Sequence, residues 1–287
     1  MRAILLTLLL LPLGPLPAMA QEQEESFTEI VPGDPAVDPN TLIARAMRGD
    51  VRAMNNIGLL FAKGVGIKAP DYQEAMRWWK EAAKHGYPLA MNNIGLMYIN
   101  GQGVERDAKK AHAWWQRAAD LGNAWAMNNI GDLCENGQGV PQDWDQALAW
   151  YQRGAEGGDG LAMYNMGSLN ERGKGTAQND REALRWYSRA ADRGIAYAMH
   201  AIGKLMEQGR GTPVDLPEAH AWYAVAADYY LAVEKEEIAQ NEQARAQLEV
   251  RLTADERVRA QSVAAGLKTR IESKRKPPAL NPDERST

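Results

Sequence analysis

The hexapeptide AMNNIG stands at Ala53–Gly58, at Ala90–Gly95 and again at Ala126–Gly131, and the near copies AMYNMG and AMHAIG follow at Ala162–Gly167 and Ala198–Gly203. The five starts are separated by 37, 36, 36 and 36 residues. A fixed period of that size marks a solenoid, in which each supersecondary unit buries its apolar face only against its neighbours. The one extra residue falls between Gly66 and Ala75, where a loop would absorb it.

Each period reads as helix, glycine turn, helix. In the first helix Met54, Ile57, Gly58 and Phe61 recur as Met91, Ile94, Gly95 and Tyr98 and as Met127, Ile130, Gly131 and Cys134. That i, i+3, i+4, i+7 spacing is one stripe of an amphipathic helix. A glycine inside a helix costs about 1 kcal/mol relative to alanine, yet Gly58, Gly95, Gly131, Gly167 and Gly203 keep it at one phase. Close backbone approach by the neighbouring helix is the expected compensation. The turns GVG, GQG, GQG, GKG and GRG start at Gly64, Gly101, Gly137, Gly173 and Gly209. Their paired glycines allow the positive φ that reverses a chain after a helix end. A phosphate cradle would need a preceding strand and a further glycine, and neither is present.

The second helix announces its own start. Asp71, Asp107, Asp143, Asn179 and Asp215 are N-cap residues, and Glu74, Gln146, Glu182 and Glu218 three positions later suit a capping box. Alanine, an aromatic pair and a small pair follow, as in AMRWWKEAA and ALAWYQRGA. Trp78, Trp79, Trp114, Trp115, Trp150, Trp186 and Trp222 all lie in these pairs, which places them at seams between helices.

Alanine-methionine-x-asparagine with an aromatic further on, G-x-G, a capping Asp, A-x-x-W-[WY] and a closing glycine at Gly86, Gly122, Gly158 and Gly194 together resemble the Sel1-like repeat family, relatives of tetratricopeptide repeats. Five copies run from Ala53 to Asp228. The resemblance implies an all-α fold: a right-handed α-solenoid of about five 36-residue helix-turn-helix repeats with a helical C-terminal cap, used as a protein-binding scaffold. LIARAMRGD at Leu42–Asp50 resembles an N-terminal half-repeat cap, and LTADERVRAQSVAAGL at Leu252–Leu267 resembles the end-cap of exported bacterial members, with Thr253 and Glu256 as its capping box. Where the fifth repeat should close with glycine it has Tyr230, so its second helix is expected to run on into the residues beyond.

The flanks complete the plan. Residues 1–20 pair Arg2 with an apolar run from Ala3 to Leu13 and end on Ala18-Met19-Ala20, the pattern of a signal peptide cleaved after Ala20. Export to the periplasm or beyond is the expectation, with no membrane anchor after cleavage. Residues 21–40 read as an acidic flexible leader, 41–228 as the solenoid, 229–272 as the helical cap and 273–287 as a disordered basic tail. Cys134 is the only cysteine, so no disulfide forms within one chain and packing must carry stability. A formal charge of −4, from 33 basic and 37 acidic residues, lacks the cationic footprint that nucleic acid demands.

With the core stripe fixed, the other face of the first helices defines a candidate groove. It carries Arg52, Asn55 and Asn56, then Asn92 and Asn93, then Trp125, Asn128, Asn129 and Asp132, then Tyr164 and Asn165, then Tyr197 and His200. An asparagine amide donates and accepts, so such a row would clamp the peptide groups of an extended protein or peptide partner. The alternatives are that these amides bridge gaps between helices, or that Trp125, Tyr164 and Tyr197 stack on an envelope glycan such as peptidoglycan or exopolysaccharide. No catalytic, cofactor-binding or metal residues are assigned. His85, His112, His200 and His220 are scattered, zinc spacings are missing, and the one Ser-x-x-Lys match, at Ser273, lies in the tail. A non-enzymatic role follows.

Overall fold

The computed structural model describes residues 39–65, 69–231 and 234–275. The expected signal peptide, the leader as far as residue 38 and the tail beyond residue 275 lie outside the described residues. Among the described residues there are thirteen α-helices and no strand. Five hairpins make the repeats: α2 (Val51–Lys63) with α3 (Tyr72–Lys84), α4 (Pro88–Asn100) with α5 (Ala108–Asp120), α6 (Ala124–Asn136) with α7 (Trp144–Glu156), α8 (Gly160–Arg172) with α9 (Asp180–Ala191), and α10 (Ala196–Gln208) with α11 (Leu216–Ala227). Helix α1 (Pro39–Ala46) precedes them, and α12 (Lys235–Glu249) and α13 (Ala254–Arg275) follow. The fold is an α-solenoid, and the chain clusters into two compact units that divide between Asp159 and Gly160. Within each unit a first helix packs chiefly on the second helix of its own repeat, and that second helix packs on the next first helix.

The mid-helix glycines are seats for aromatic rings. A Cβ on Gly95 would lie 2.3 Å from Trp115 Nε1, and one on Gly131 or Gly167 would lie 2.5 Å from the Tyr151 or Tyr187 ring. What approaches each glycine is thus a ring from the second helix, where the sequence suggested helix backbone. These rings form the core: Trp79, Trp115, Tyr151, Tyr187 and Tyr223 are each no more than 2% exposed. In the first four repeats the first member of the pair behaves differently. Trp78, Trp114, Trp150 and Trp186 are only half-buried, because adjacent residues on a helix point about 100° apart and cannot share one seam. The expectation that all seven tryptophans sit at seams therefore holds for Trp79, Trp115 and the 3%-exposed Trp222, and fails for these four.

The caps form where expected, with one change. Asp107, Asp143, Asn179 and Asp215 accept from the backbone N–H three residues on, at 2.9–3.0 Å. The reciprocal half of the capping box is replaced. The backbone N–H of each cap instead donates to the end of the preceding helix, as in Asp107 N to Tyr98 O and Asp143 N to Cys134 O, both 2.9 Å. Thr253 and Glu256 do form the full box, through Thr253 N to Glu256 Oε2 at 2.9 Å and Glu256 N to Thr253 Oγ1 at 3.3 Å. In the G-x-G turns the second glycine meets the preceding repeat, where a Cβ on Gly211 would lie 2.6 Å from the Asp180 backbone.

Three boundaries move. Helix α1 already begins at Pro39, inside the stretch assigned to the leader. The second helix of the fifth repeat stops at Ala227, where the N–H groups of Tyr229 and Tyr230 turn back to Ala226 O, so it does not run on. Helix α13 continues past Ser273 to Arg275, held by a Lys274–Asp192 ion pair and by Arg275 lying 5.4 Å from the Tyr229 ring centre.

Candidate functional site

In residues 39–159 the candidate amides form a ladder from repeat to repeat. Asn93 Nδ2 donates to Asn55 Oδ1 at 3.1 Å, and Asn129 Nδ2 donates to Asn92 Oδ1 at 2.9 Å. The backbone carbonyls of the same residues take the seam indoles: Trp79 Nε1 reaches Asn55 O at 3.2 Å and Trp115 Nε1 reaches Asn92 O at 3.1 Å. Each rung thus fixes the register of two repeats. Asn55, Asn92, Asn128 and Asn129 are at most 4% exposed. A clamp needs amides that a partner can reach, so these four do not serve as one: Asn55, Asn92 and Asn129 bridge helices, Asn128 is buried, and the expected row of partner-facing asparagines here shortens to Asn56 and Asn93, both partly exposed. Asn92 Nδ2 is buried without an acceptor.

Arg52 is exposed beside them, while Leu59, Leu96, Trp125 and Asp132 are partly exposed. Asp132 Oδ1 accepts from the Tyr151 hydroxyl at 2.6 Å, and Glu135 Oε2 accepts from the same hydroxyl at 2.9 Å. Burial, with Glu135 alongside, pushes the Asp132 carboxyl up to about 7 against the pull of that hydroxyl.

In residues 160–275 the candidates are aromatic. Tyr164 packs against Tyr187 and Tyr197 with ring centres 5.6 and 6.0 Å apart, and Tyr197 meets the edge of Tyr230 at 5.6 Å. The Tyr197 hydroxyl donates to Glu234. These rings are engaged with each other, and Asn165 stands partly exposed beside Tyr164. His200 occupies the position of Asn55 and Asn92. Its Nδ1 lies 3.0 Å from Asn241 Oδ1, and Asn241 Nδ2 donates to Tyr223 O at 2.8 Å, which orients the amide and makes Nδ1 the donor. Helix α12 therefore supplies a rung in place of a sixth repeat. Burial lowers the His200 pKa, helped by Lys204 and opposed by the Asn241 bond.

One pattern escaped the sequence reading. Where the seam aromatic is tyrosine, its hydroxyl donates to a glutamate sixteen residues earlier: Tyr151 to Glu135 at 2.9 Å, Tyr187 to Glu171 at 2.8 Å and Tyr223 to Glu207 at 3.3 Å. Where the aromatic is Trp79 or Trp115, the same repeat position holds Ala62 or Ile99. The signal was present as a covariation of two columns, the seam aromatic and the residue at the end of the first helix. Glu171 also accepts from Arg210 Nη1 at 2.9 Å, and the Arg210 guanidinium grips Asp180 at 2.7 and 3.0 Å. The middle residue of the last G-x-G turn is thereby tied to the repeat before it.

Among the described residues no group of three His, Cys, Asp or Glu side chains could hold a metal ion, and no helix is long and apolar enough to cross a membrane. Cys134 is buried in the first-helix stripe.

Comparison with known proteins follows the same periodicity. The Sel1 repeat family model matches residues 51–87, 88–123, 126–159, 160–195 and 196–228. No curated protein matches the chain in sequence. Among solved structures, a protective antigen present in uropathogenic Escherichia coli strains and displaying an SLR fold superimposes with a TM-score of 0.70 at 21% identity, over 85% of this chain and 52% of that one. The chain thus spans about half the length of that antigen. A Sel1 repeat protein from Oxalobacter formigenes superimposes with a TM-score of 0.56 at 28% identity, over 76% of this chain and 84% of that one. Repeats of this kind in general mediate protein–protein interaction. With five matched repeats over more than half its length, the chain belongs to the Sel1 repeat family.

Proposed function

We propose that the protein is an exported, non-enzymatic scaffold that binds a polypeptide segment on its first-helix face. The observation that carries this reading is the mixed surface left open beside the buried ladder: Arg52, Asn56 and Leu59 on α2, and Asn93 and Leu96 on α4. Amides there suit the peptide groups of an extended chain, and the leucines suit its apolar side chains. The buried asparagines serve that surface indirectly by holding successive repeats in register. Export rests on the N-terminal pattern that ends at Ala20.

Both parts can be tested in the native host. A photo-crosslinking residue placed at position 56 is expected to trap a discrete protein adduct in the cell envelope, lost when Leu96→Arg is added. The same probe at the exposed Gln73 serves as control. Adducts made only of glycan, or equal labelling from both positions, would overturn the polypeptide reading. The N-terminal sequence of the purified chain is expected to start at Gln21, and an intact Met1 would overturn export.

A further inference from the structure

What covers the first aromatic of the second helix differs from repeat to repeat. Arg117 lies over the Trp114 ring at 4.3 Å from its centre, Arg153 over Trp150 at 4.1 Å and Arg189 over Trp186 at 4.3 Å. Each arginine stands three residues after its tryptophan, one helical turn on. In the fifth repeat that position is Val225, and α13 lies across α11 instead, with Arg270 5.4 Å from the Trp222 ring centre and Trp222 only 3% exposed. The first repeat has neither cover. Its lid position holds Glu81, which pairs with Lys84 at 2.6 Å, and Arg77 stays 5.5 Å from the Trp78 ring centre while bound to Glu74 at 2.8 Å.

An open cleft of about 440 Å³ results, lined chiefly by Met47 after α1, Met54 on α2, and Arg77, Trp78, Glu81 and His85 on and after α3. Its apolar lining continues onto α1: Met47 is 79% exposed, and Ile43, one turn earlier, is 45% exposed. The end of a solenoid ordinarily presents a polar outer face. Met47 breaks that rule at a position, two residues before the closing glycine, that Lys84, Asp120, Glu156 and Asp192 fill in the later repeats.

The chain supplies an occupant of matching chemistry. Residues 21–38, directly before α1 and outside the described residues, hold six carboxylates and no lysine or arginine. Phe27, Ile30 and Val31 stand among them, with Glu24, Glu25 and Glu29 alongside. The described residues from 39 to 87 are cationic, with seven lysines and arginines against four carboxylates. Near the cleft the carboxylates are already engaged, Glu81 by Lys84, Glu74 by Arg77 and Asp50 by Arg45, whereas Arg48 beside Met47 is exposed and enters no ion pair among the described residues. A cationic segment such as α13 from a second copy fits less well. Of the carboxylates that hold α13, Asp215 is kept here as Asp71, but Asp192 and Asp228 are replaced by Met47 and Lys84. Reach is sufficient: the seven residues from 32 to 38 span up to about 25 Å, and the eight-residue α1 is about 12 Å long. So short a tether presents the segment at about millimolar effective concentration.

We infer that residues 24–31 of this chain lie over the cleft, with Phe27 and Ile30 against Trp78 and Met47 and the glutamates facing Arg48 and Arg77. The leader thereby closes the first repeat as α13 closes the fifth. None of the cleft residues belongs to the first-helix surface proposed for a polypeptide partner, and the segment lies downstream of Ala20. The inference therefore depends neither on that reading nor on cleavage.

The test places a photo-crosslinking phenylalanine at position 27 of the full chain and maps its adducts by peptide mass spectrometry. An intramolecular adduct to the peptides that carry Met47 or Trp78 is expected, with a yield independent of protein concentration and falling as salt is raised. Met47→Asp, at a position whose side chain the fold leaves in solvent, should lower that yield at least about fivefold, because a methionine is no longer buried there. Glu24→Lys with Glu25→Lys and Glu29→Lys should also lower it, and circular dichroism checks that the helices persist. Absence of the intramolecular adduct, adducts only between copies, adducts scattered over the later repeats, or a yield that neither set of variants changes would each overturn the inference.

Discussion

Replacing Gly95 with alanine sets two opposing effects against each other, and the structure decides the winner. In an exposed helix the change stabilises by about 1 kcal/mol through helix propensity. At Gly95 the added methyl carbon would sit 2.3 Å from Trp115 Nε1, 2.5 Å from Cδ1 and 2.7 Å from Cε2. Carbon and ring atoms need about 3.5 Å, so the ring must retreat by about 1 Å. Trp115 is 0% exposed and has no space to retreat into. Overpacking costs about 1–3 kcal/mol. Retreat also stretches the 3.1 Å bond from Trp115 Nε1 to Asn92 O, with a further loss of about 1 kcal/mol. A net destabilisation of about 1–3 kcal/mol is expected in urea melts followed by circular dichroism. The control is Gly266→Ala on α13, where nothing lies within 4 Å of the added carbon and a gain of about 0.5–1 kcal/mol is expected. If Gly95→Ala proved neutral or stabilising, the glycine would not be the seat of the ring.

Other perturbations address separate parts of the account. Tyr151→Ala should cost about 3–5 kcal/mol and Trp150→Ala only about 1–2 kcal/mol in the same melts, since the first ring is core and the second half-buried; equal losses would contradict this division. Asn129→Ala removes the donor to Asn92 Oδ1 and leaves that buried amide without partners, for a loss of about 1–3 kcal/mol read from the urea midpoint; an unchanged midpoint would mean the ladder carries no stability. Asp132 titrates near 3.8 when unfolded and about 7 when folded, so between these values the folded chain holds a proton that the unfolded chain has released. Its contribution is complete below about pH 4 and is lost as the pH rises through 7. Thermal melts across that range should show the decline, and Asp132→Asn should flatten it.

Sequence periodicity revealed the fold because backbone and core constraints repeat at every turn of the solenoid. The phases of Met54, Ile57 and Gly58, the cap at Asp107 and the paired glycines from Gly101 each report a local requirement that one residue meets alone. Groove residues are less legible, because whether an asparagine faces a partner depends on the residue beside it one repeat away. Asn92 and Asn93 are neighbours in sequence, yet Asn92 is buried beneath Asn129 while Asn93 stays partly exposed above Asn55. The aromatic pairs show the same limit: composition places two large rings on one helix, and only packing shows that Trp115 is inside and Trp114 half outside.

The pairing of each seam tyrosine with a glutamate, and of each seam tryptophan with Ala62 or Ile99, has a consequence for how such an array can change. A lone exchange of Tyr187 for tryptophan would take the hydroxyl donor from Glu171 and leave it Arg210 alone, and a lone exchange of Trp115 for tyrosine would point a hydroxyl at Ile99. Either intermediate is poorer than both end states. Duplicating or deleting a whole repeat carries the two columns together and avoids that valley, so the array can lengthen or shorten more readily than one of its seams can switch type.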